Sequence, residues 1–163
     1  MIRLETARTI VRDARSGDAE TVTAYRSDPG VTRYQRWNPT PEEFRVFIAR
    51  QETRSAFAID EWHELVIERR TGAAIIGDVG VYIPQPGDAE LGITIAPQFQ
   101  RNGFASEALA AVCDYLFNTA VARRIIARVD TTNEPSLRLF RSLRFQHDAR
   151  SAGELTLALL APP

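Results

Sequence analysis

The chain has 163 residues, 44% of them hydrophobic and 25% charged, which predicts one globular domain over 1–163 with a core of its own. Twenty basic residues nearly balance 21 acidic ones, and a net charge of −1 argues against a nucleic-acid module driven by bulk charge. Every basic residue is Arg, which excludes a nucleophilic or Schiff-base Lys and a Walker-type phosphate loop, and the lone Cys113 excludes an intrachain disulfide and a Cys-rich zinc site.

In chain order, Thr9–Arg12 alternates and reads as a first strand. Asp18 is expected to cap a helix from Ala19 to about Ser27, which Asp28-Pro29-Gly30 stops. Thr40 caps a second helix with Pro41 in its first position, and Phe44, Phe47 and Ile48 supply the apolar face. Glu64–Glu68, Ala73–Ile83 and Ala89–Ile95 then read as an antiparallel meander, with Pro84, Pro86 and Gly87-Asp88 turning the chain between the last two. A strong helix runs from about Gly103 to Asn118, with Ala105, Ala108, Leu109, Val112 and Leu116 on one face. A central strand at Arg124–Val129, a helix capped by Asn133 and a last strand at Leu155–Leu160 complete a mixed α+β domain, with a further strand expected near Phe145.

No apolar leader is visible at Met1–Glu5, and the longest apolar stretch is far shorter than the roughly 20 residues that span a bilayer. The expectation is a cytoplasmic protein with no membrane or nucleic-acid partner. His63 and His147 lie far apart and show no metal-ligand spacing, so no metal is expected.

The segment that carries chemistry is the strand-to-helix junction at 93–107. The helix start offers unpaired backbone N–H groups and the positive end of the dipole, an anion site by construction. Gly103 lets backbone approach a phosphate, and Ala105 keeps the first turn free of bulk. These features predict a diphosphate at residues 100–105; a turn whose glycine only relieves backbone strain is the other reading.

Gln100-x-x-Gly103-x-Ala105 resembles the acetyl-CoA signature of the GNAT superfamily of N-acetyltransferases. Ala89–Ile93 resembles the strand before that signature, and Asn133-Glu134-Pro135-Ser136 followed by Leu143-Arg144-Phe145 resembles a later family segment. With Glu5-Thr6-x-Arg8, Asp18-Ala19 and Ser27-Asp28-Pro29 the resemblance covers nearly the whole chain and is nearest to the RimJ/RimL-like branch. It implies a mostly antiparallel sheet splayed into a V-shaped cleft and flanked by about four helices. It implies acetyl-CoA as co-substrate, with pantetheine along Ile93, Thr94 and Ile95 and the diphosphate on Gln100, Arg101, Asn102, Gly103, Phe104, Ala105 and Ser106. Asn133, Ser136 and Phe140 would also meet the cofactor.

The acceptor would be an amine, either a peptide or protein N-terminus or a small molecule, and a homodimer is possible by family habit. Glu90 is the base candidate, against an ordinary solvent-facing strand residue; Ser136 is the candidate acid for the leaving thiolate, against a Ser that only satisfies local backbone. Tyr34, Trp37 and Glu90 would contact the acceptor, with packing the competing role for the aromatics and for Trp62. Two departures stand out. Phe140 occupies the position where many members carry a Tyr acid, and Arg144 replaces a turn glycine. The missing Tyr keeps open a second class of function, a CoA-binding or regulatory module without catalysis. Arg138, Arg141 and Arg144, with Arg101, either meet the CoA 3′-phosphate or form a solvated face, and Cys113 is expected in the core.

Overall fold

The computed structural model describes residues 1–162. Eight strands form one sheet: β1 (Arg3–Glu5), β2 (Thr9–Asp13), β3 (Trp62–Arg69), β4 (Ile75–Gln85), β5 (Gly87–Ile95), β6 (Ala122–Asp130), β7 (Gln146–Ser151) and β8 (Glu154–Leu160). Their spatial order is β1-β2-β3-β4-β5-β6-β8-β7, and every neighbouring pair is antiparallel except β5 and β6. Five helices flank the sheet: α1 (Ala19–Arg26), α2 (Pro29–Thr32), α3 (Pro41–Glu52), α4 (Phe104–Asn118) and α5 (Glu134–Ser142).

The one parallel pair follows from connectivity. Antiparallel neighbours need only a tight turn, whereas parallel neighbours need a long crossover, and α4 provides it between β5 and β6. Ala108, Leu109, Val112, Cys113 and Leu116 turn inward from α4 and pack on β1, β2, β5 and β6. Fully burying each Leu contributes about 2 kcal/mol. Burial pushes the Cys113 thiol up to about 12, helped by Asp114, so it behaves as a small core residue. A second core lies on the opposite sheet face, where Val22, Tyr25, Phe44 and Ile48 from α1 and α3 meet Val66.

Several expectations are corrected. Asp18 stands at the N-cap position of α1 but makes no capping bond; Arg12 donates to both its oxygens (2.9 and 3.0 Å) and the Arg15 amide donates at 2.8 Å. A guanidinium takes the carboxylate because it offers two parallel charge-assisted bonds where the helix offers one neutral donor at a time. The Asp28-Pro29 stop also starts α2: the Asp28 carboxylate accepts from the Gly30 amide at 2.8 Å, with Pro29 in the first turn. The β4–β5 turn is tighter than the prolines suggest. Both strands run up to it, only Pro86 lies between them, and Pro84 sits within β4 where the register shifts. Gly87 (φ +90°) makes the reversal. β1 and β7 add to the sheet, β7 being the strand expected near Phe145. Arg144 keeps the turn that its replacement of glycine put in doubt, at φ +67° with its amide donating to the Arg141 carbonyl at 2.9 Å.

The start of α4 is tied down from a distance. Glu107, in its first turn, accepts from the Thr6 hydroxyl (2.5 Å), the Arg8 amide (2.7 Å) and Arg8 Nε (2.7 Å). Burial works against its charge, but the bonds from Thr6 and Arg8 win and hold the carboxyl below its ordinary value. A carboxyl depressed in the folded state contributes stability above its unfolded pKa, about 4.3, and that contribution is lost as pH falls through the folded value. Arg8 is half exposed, so solvent screening limits the effect. Glu107→Gln should therefore cost about 1 kcal/mol near neutral pH. Urea denaturation series at neutral and acidic pH check this; the gap to wild type should close below the depressed pKa.

Candidate functional site

The parallel pair β5–β6 is short. Its last matched residues are Glu90 and Ile126; beyond them Leu91–Ile95 stays paired to β4, and Ala127–Asp130 stays paired to β8. The two strands diverge from that point as a fork. On the face that carries α1 and α3, the register sets Tyr82, Glu90 and Ile126 in one row, Gly80 beside Gly92 in the next, and Asp78 beside Thr94 after that. Nothing lies within 4 Å of where a Cβ on Gly92 would stand, so the floor beside the fork is bare.

Glu90 occupies the vertex and is buried. Arg128 Nη1 forms an ion pair across the fork with Glu90 Oε2 at 3.3 Å. Burial raises the Glu90 carboxyl above its ordinary value; Arg128 and then Arg36 oppose this, and Glu154 adds to it. The competing reading of Glu90 as a solvent-facing strand residue does not describe this position.

Beyond the tip of β5 the chain makes a 3-10 turn (Pro97–Phe99) and then two left-handed residues, Arg101 (φ +60°) and Gly103 (φ +79°). Gly103 is the N-cap of α4 and no side chain caps that end, so the first amides of the helix, from Phe104 on, keep their donors. Gln100 and Asn102 act within the loop. Gln100 Nε2 donates to the Ile95 carbonyl (2.9 Å), and Asn102 Nδ2 donates to the carbonyls of Gln100 (2.9 Å) and Phe99 (3.2 Å). Arg101 is exposed, and Ala105 and Ser106 are half-buried. The Arg8 guanidinium lies 4.7 Å from the Phe104 ring centre and donates to the Asn102 carbonyl at 2.9 Å, a neighbour of this loop that lies almost a hundred residues away in sequence.

On the other arm of the fork, Asn133 Oδ1 accepts from the Ser136 amide at 3.2 Å and caps α5, as expected. Ser136 is half-buried in the first turn. Phe140 is set differently from the expectation: it is 2% exposed and packs edge-to-face on Phe145 (5.1 Å), so its ring belongs to the core and offers a ligand almost no surface. Arg138 pairs with Glu134 on an exposed face, at 3.1 Å. His63 is buried against Asp13 (2.7 Å), and His147 is exposed on β7.

A strap crosses the fork. The Tyr34 hydroxyl donates to the Thr132 carbonyl (3.3 Å), past the end of β6, while Gln35 Nε2 donates to Thr94 Oγ1 on β5 (2.9 Å). Arg36 pairs with Glu154 at the start of β8. Trp37 lies against Phe47 (5.0 Å) and Phe44 (6.1 Å). Sequence reasoning singled out Tyr34 and Trp37 but missed Gln35, Arg36, Arg128 and Glu154, which have no motif. Trp62 stacks on Tyr82 at 5.3 Å, and Tyr82 donates to Asp60 at 2.5 Å, beside the Glu90 row.

Under the strap lies a buried charged cluster. Arg26 Nη2 donates to Glu64 Oε1 (3.0 Å) and to Asp78, and the Tyr25 hydroxyl donates to Asp78 Oδ1 at 2.6 Å. Burial pushes the Glu64 carboxyl well above the usual range, opposed by Arg26 and reinforced by Asp78. The surviving donor of the guanidinium, Nη1, reaches the Trp37 carbonyl at 3.1 Å.

Among the described residues no group of three or more His, Cys, Asp and Glu could hold a metal ion, and no helix is long and apolar enough to cross a membrane. The profile of the acetyltransferase (GNAT) domain matches residues 8–146. YoaA of Bacillus subtilis, named as an uncharacterized N-acetyltransferase, is 36% identical over 151 residues, which cover 89% of this chain and 83% of YoaA. Among solved structures, Mycobacterium smegmatis RimJ in complex with CoA-disulfide superposes with a TM-score of 0.83 at 19% identity, covering 98% of this chain and 88% of that one. A Vibrio cholerae spermidine N-acetyltransferase in complex with CoA and spermine superposes at 0.79 with 18% identity, covering 94% and 95%. The forked sheet, the uncapped helix after β5 and the span of these matches agree: the chain belongs to the GNAT acetyltransferase family and is an N-acetyltransferase.

Proposed function

We propose that the enzyme transfers acetyl directly from acetyl-CoA to an amine held at the fork. The observation that carries this reading is the combination of an open inner edge on β5 with an uncapped helix N-terminus immediately after it. The residues fit the co-substrate. A diphosphate suits the amides of α4 and the left-handed Gly103, where a side chain would stand 3.3 Å from Arg8 Nη2. A pantetheine arm carries amides of its own, which suit backbone groups along Ile93, Thr94 and Ile95.

The acceptor enters from the face where Gly92 leaves the floor bare and Trp62 covers Gly80, bounded by Tyr34 and Trp37. Its nitrogen must be neutral to attack. An α-amine titrates near 8 and a Lys amine near 10.4, a difference of about 3 kcal/mol in deprotonation. Glu90 accepts the amine proton, directly or through water, and its raised pKa makes it a better base than an ordinary carboxylate. As the new C–N bond forms and the C–S bond breaks, the thiolate takes a proton, for which the Ser136 hydroxyl in the first turn of α5 is the candidate. The amine acceptor is a peptide or protein N-terminus or a small amine; proteins of similar fold include both kinds, a spermidine N-acetyltransferase and RimL, a ribosomal L7/L12 alpha-N-protein acetyltransferase.

Release of free CoA thiol, followed across a panel of N-terminal peptides and small amines, tests the reading. Tight acetyl-CoA binding without release would favour a binding module. Gly103→Val should weaken CoA binding at least tenfold by calorimetry while the fold survives, because the loop strain it adds is only about 1–3 kcal/mol; unchanged affinity would remove the diphosphate from this loop. Glu90→Gln should lower kcat by roughly a hundredfold. In the wild type the rate should fall as pH drops through the raised Glu90 pKa, because a protonated carboxyl accepts nothing. A pH–rate profile of the variant should lack that limb.

A further inference from the structure

The Arg26 cluster takes no part in the chemistry above, yet it is the most heavily charged region of the interior. Arg26, Glu64 and Asp78 are all under 10% exposed, and Tyr25 joins them. Replacing such a cluster with apolar side chains is often neutral or stabilising, so stability alone does not account for it. What the cluster does achieve is to immobilise a single guanidinium. Nε and Nη2 are held by Asp78 and Glu64, and Nη1 is directed at the Trp37 carbonyl. The Trp37 ring lies over the same guanidinium, 5.7 Å from its carbon. The segment is also held at its start, since the Thr32 hydroxyl donates to the Arg26 carbonyl at 2.9 Å.

From this fixed point the next three residues run outward across the fork, each held by a different element: Arg36 by Glu154, Gln35 by Thr94 and Tyr34 by the Thr132 carbonyl. Both arms of the fork and α1 are thereby joined through four consecutive residues, 34–37, on the acceptor side. The Arg36 charge also opposes the rise of the Glu90 carboxyl, so any shift of the strap changes the electrostatic surroundings of that carboxylate.

We propose that Arg26 is a positioning residue: its buried ion pairs fix the strap 34–37 over the fork and so set the geometry in which the acceptor amine meets Glu90. The proposal rests on the N-acetyltransferase reading of the fork given above.

Arg26→Lys tests it, because an ammonium keeps the charge for Glu64 and Asp78 but lacks the planar set of donors that reaches Trp37 as well. In a Trp62→Phe background Trp37 is the sole Trp, and acrylamide quenching of its fluorescence reports the strap without any substrate. Arg26→Lys should increase that quenching. With spermidine and a Ser-initiated peptide as the acceptor probes, it should raise the acceptor KM by roughly tenfold. The KM for acetyl-CoA should stay within about twofold. Tyr34→Phe combined with Gln35→Ala cuts two of the three outer anchors, leaves the buried cluster intact and should give the same KM split, which guards against misfolding of the Arg26 variant. Unchanged quenching in a folded Arg26→Lys overturns the link from cluster to strap. An unchanged acceptor KM in the folded variants, or equal rises in both KM values, overturns the acceptor role. If the wild type binds CoA but turns over neither probe, the transferase reading fails and the acceptor role falls with it, while the quenching result still decides whether Arg26 holds the strap.

Discussion

Everything distinctive in this molecule depends on how briefly β5 and β6 pair. Parallel partners share only the registers from Gly87–Ala122 to Glu90–Ile126. Each strand then follows its antiparallel neighbour, and the two halves of the sheet separate. Had the pairing run to Ile95, the inner backbone of β5 would be spent on β6 and no opening would exist. The crossover through α4 is what makes the pair parallel, and the same helix begins at the loop beside the open arm. One connection therefore produces both the gap and the uncapped helix end next to it.

Two sets of charges sit on opposite sides of this opening and behave differently. Glu107 and Arg8 form a partly exposed clamp that fastens the β1–β2 connection onto α4. Its energy is modest because water screens it. Arg26, Glu64 and Asp78 are dry, so each charge depends on the others, and removal of one would leave a buried group uncompensated. The first set stabilises a helix start; the second gives a loop a fixed point of attachment. Glu90 is intermediate, buried at the vertex but with Arg128 at hand on the neighbouring strand.

Much of the fold was legible because α4, α5 and the meander each satisfy one period consistently, and Asn133 and Thr40 cap as their chemistry dictates. Asp18 departs from the expected capping bond because a stronger donor lies close by in the chain, the Arg12 guanidinium on the preceding strand. The short α2 hid inside a stop signal. At the site, the Gly103 loop and Glu90 could be found by motif and strand position. The strap could not, since its anchors at Thr94, Thr132 and Glu154 are roughly 60 to 120 residues away and depend on the register of three strands. The buried cluster did leave a trace: Glu64 and Asp78 each interrupt an apolar strand at a position where alternation assigns them to the same sheet face. An acid in such a place needs a cation, and Arg26 at the end of α1 was available.

The outer borders of the sheet bear on what the opening can attract. β1 is three residues long, and β7 reads Gln-His-Asp-Ala-Arg-Ser, exposed throughout and shifted in register between His147 and Ala149. Short, charged, irregular borders discourage the addition of another chain. The inner margin of β5, Leu91–Ile95, is regular and lies between the arms of the fork. The sheet thus discourages recruitment at its perimeter and keeps its free hydrogen-bonding capacity inside, so a strand-like ligand is admitted at one place and aggregation through the rim is suppressed by the same arrangement.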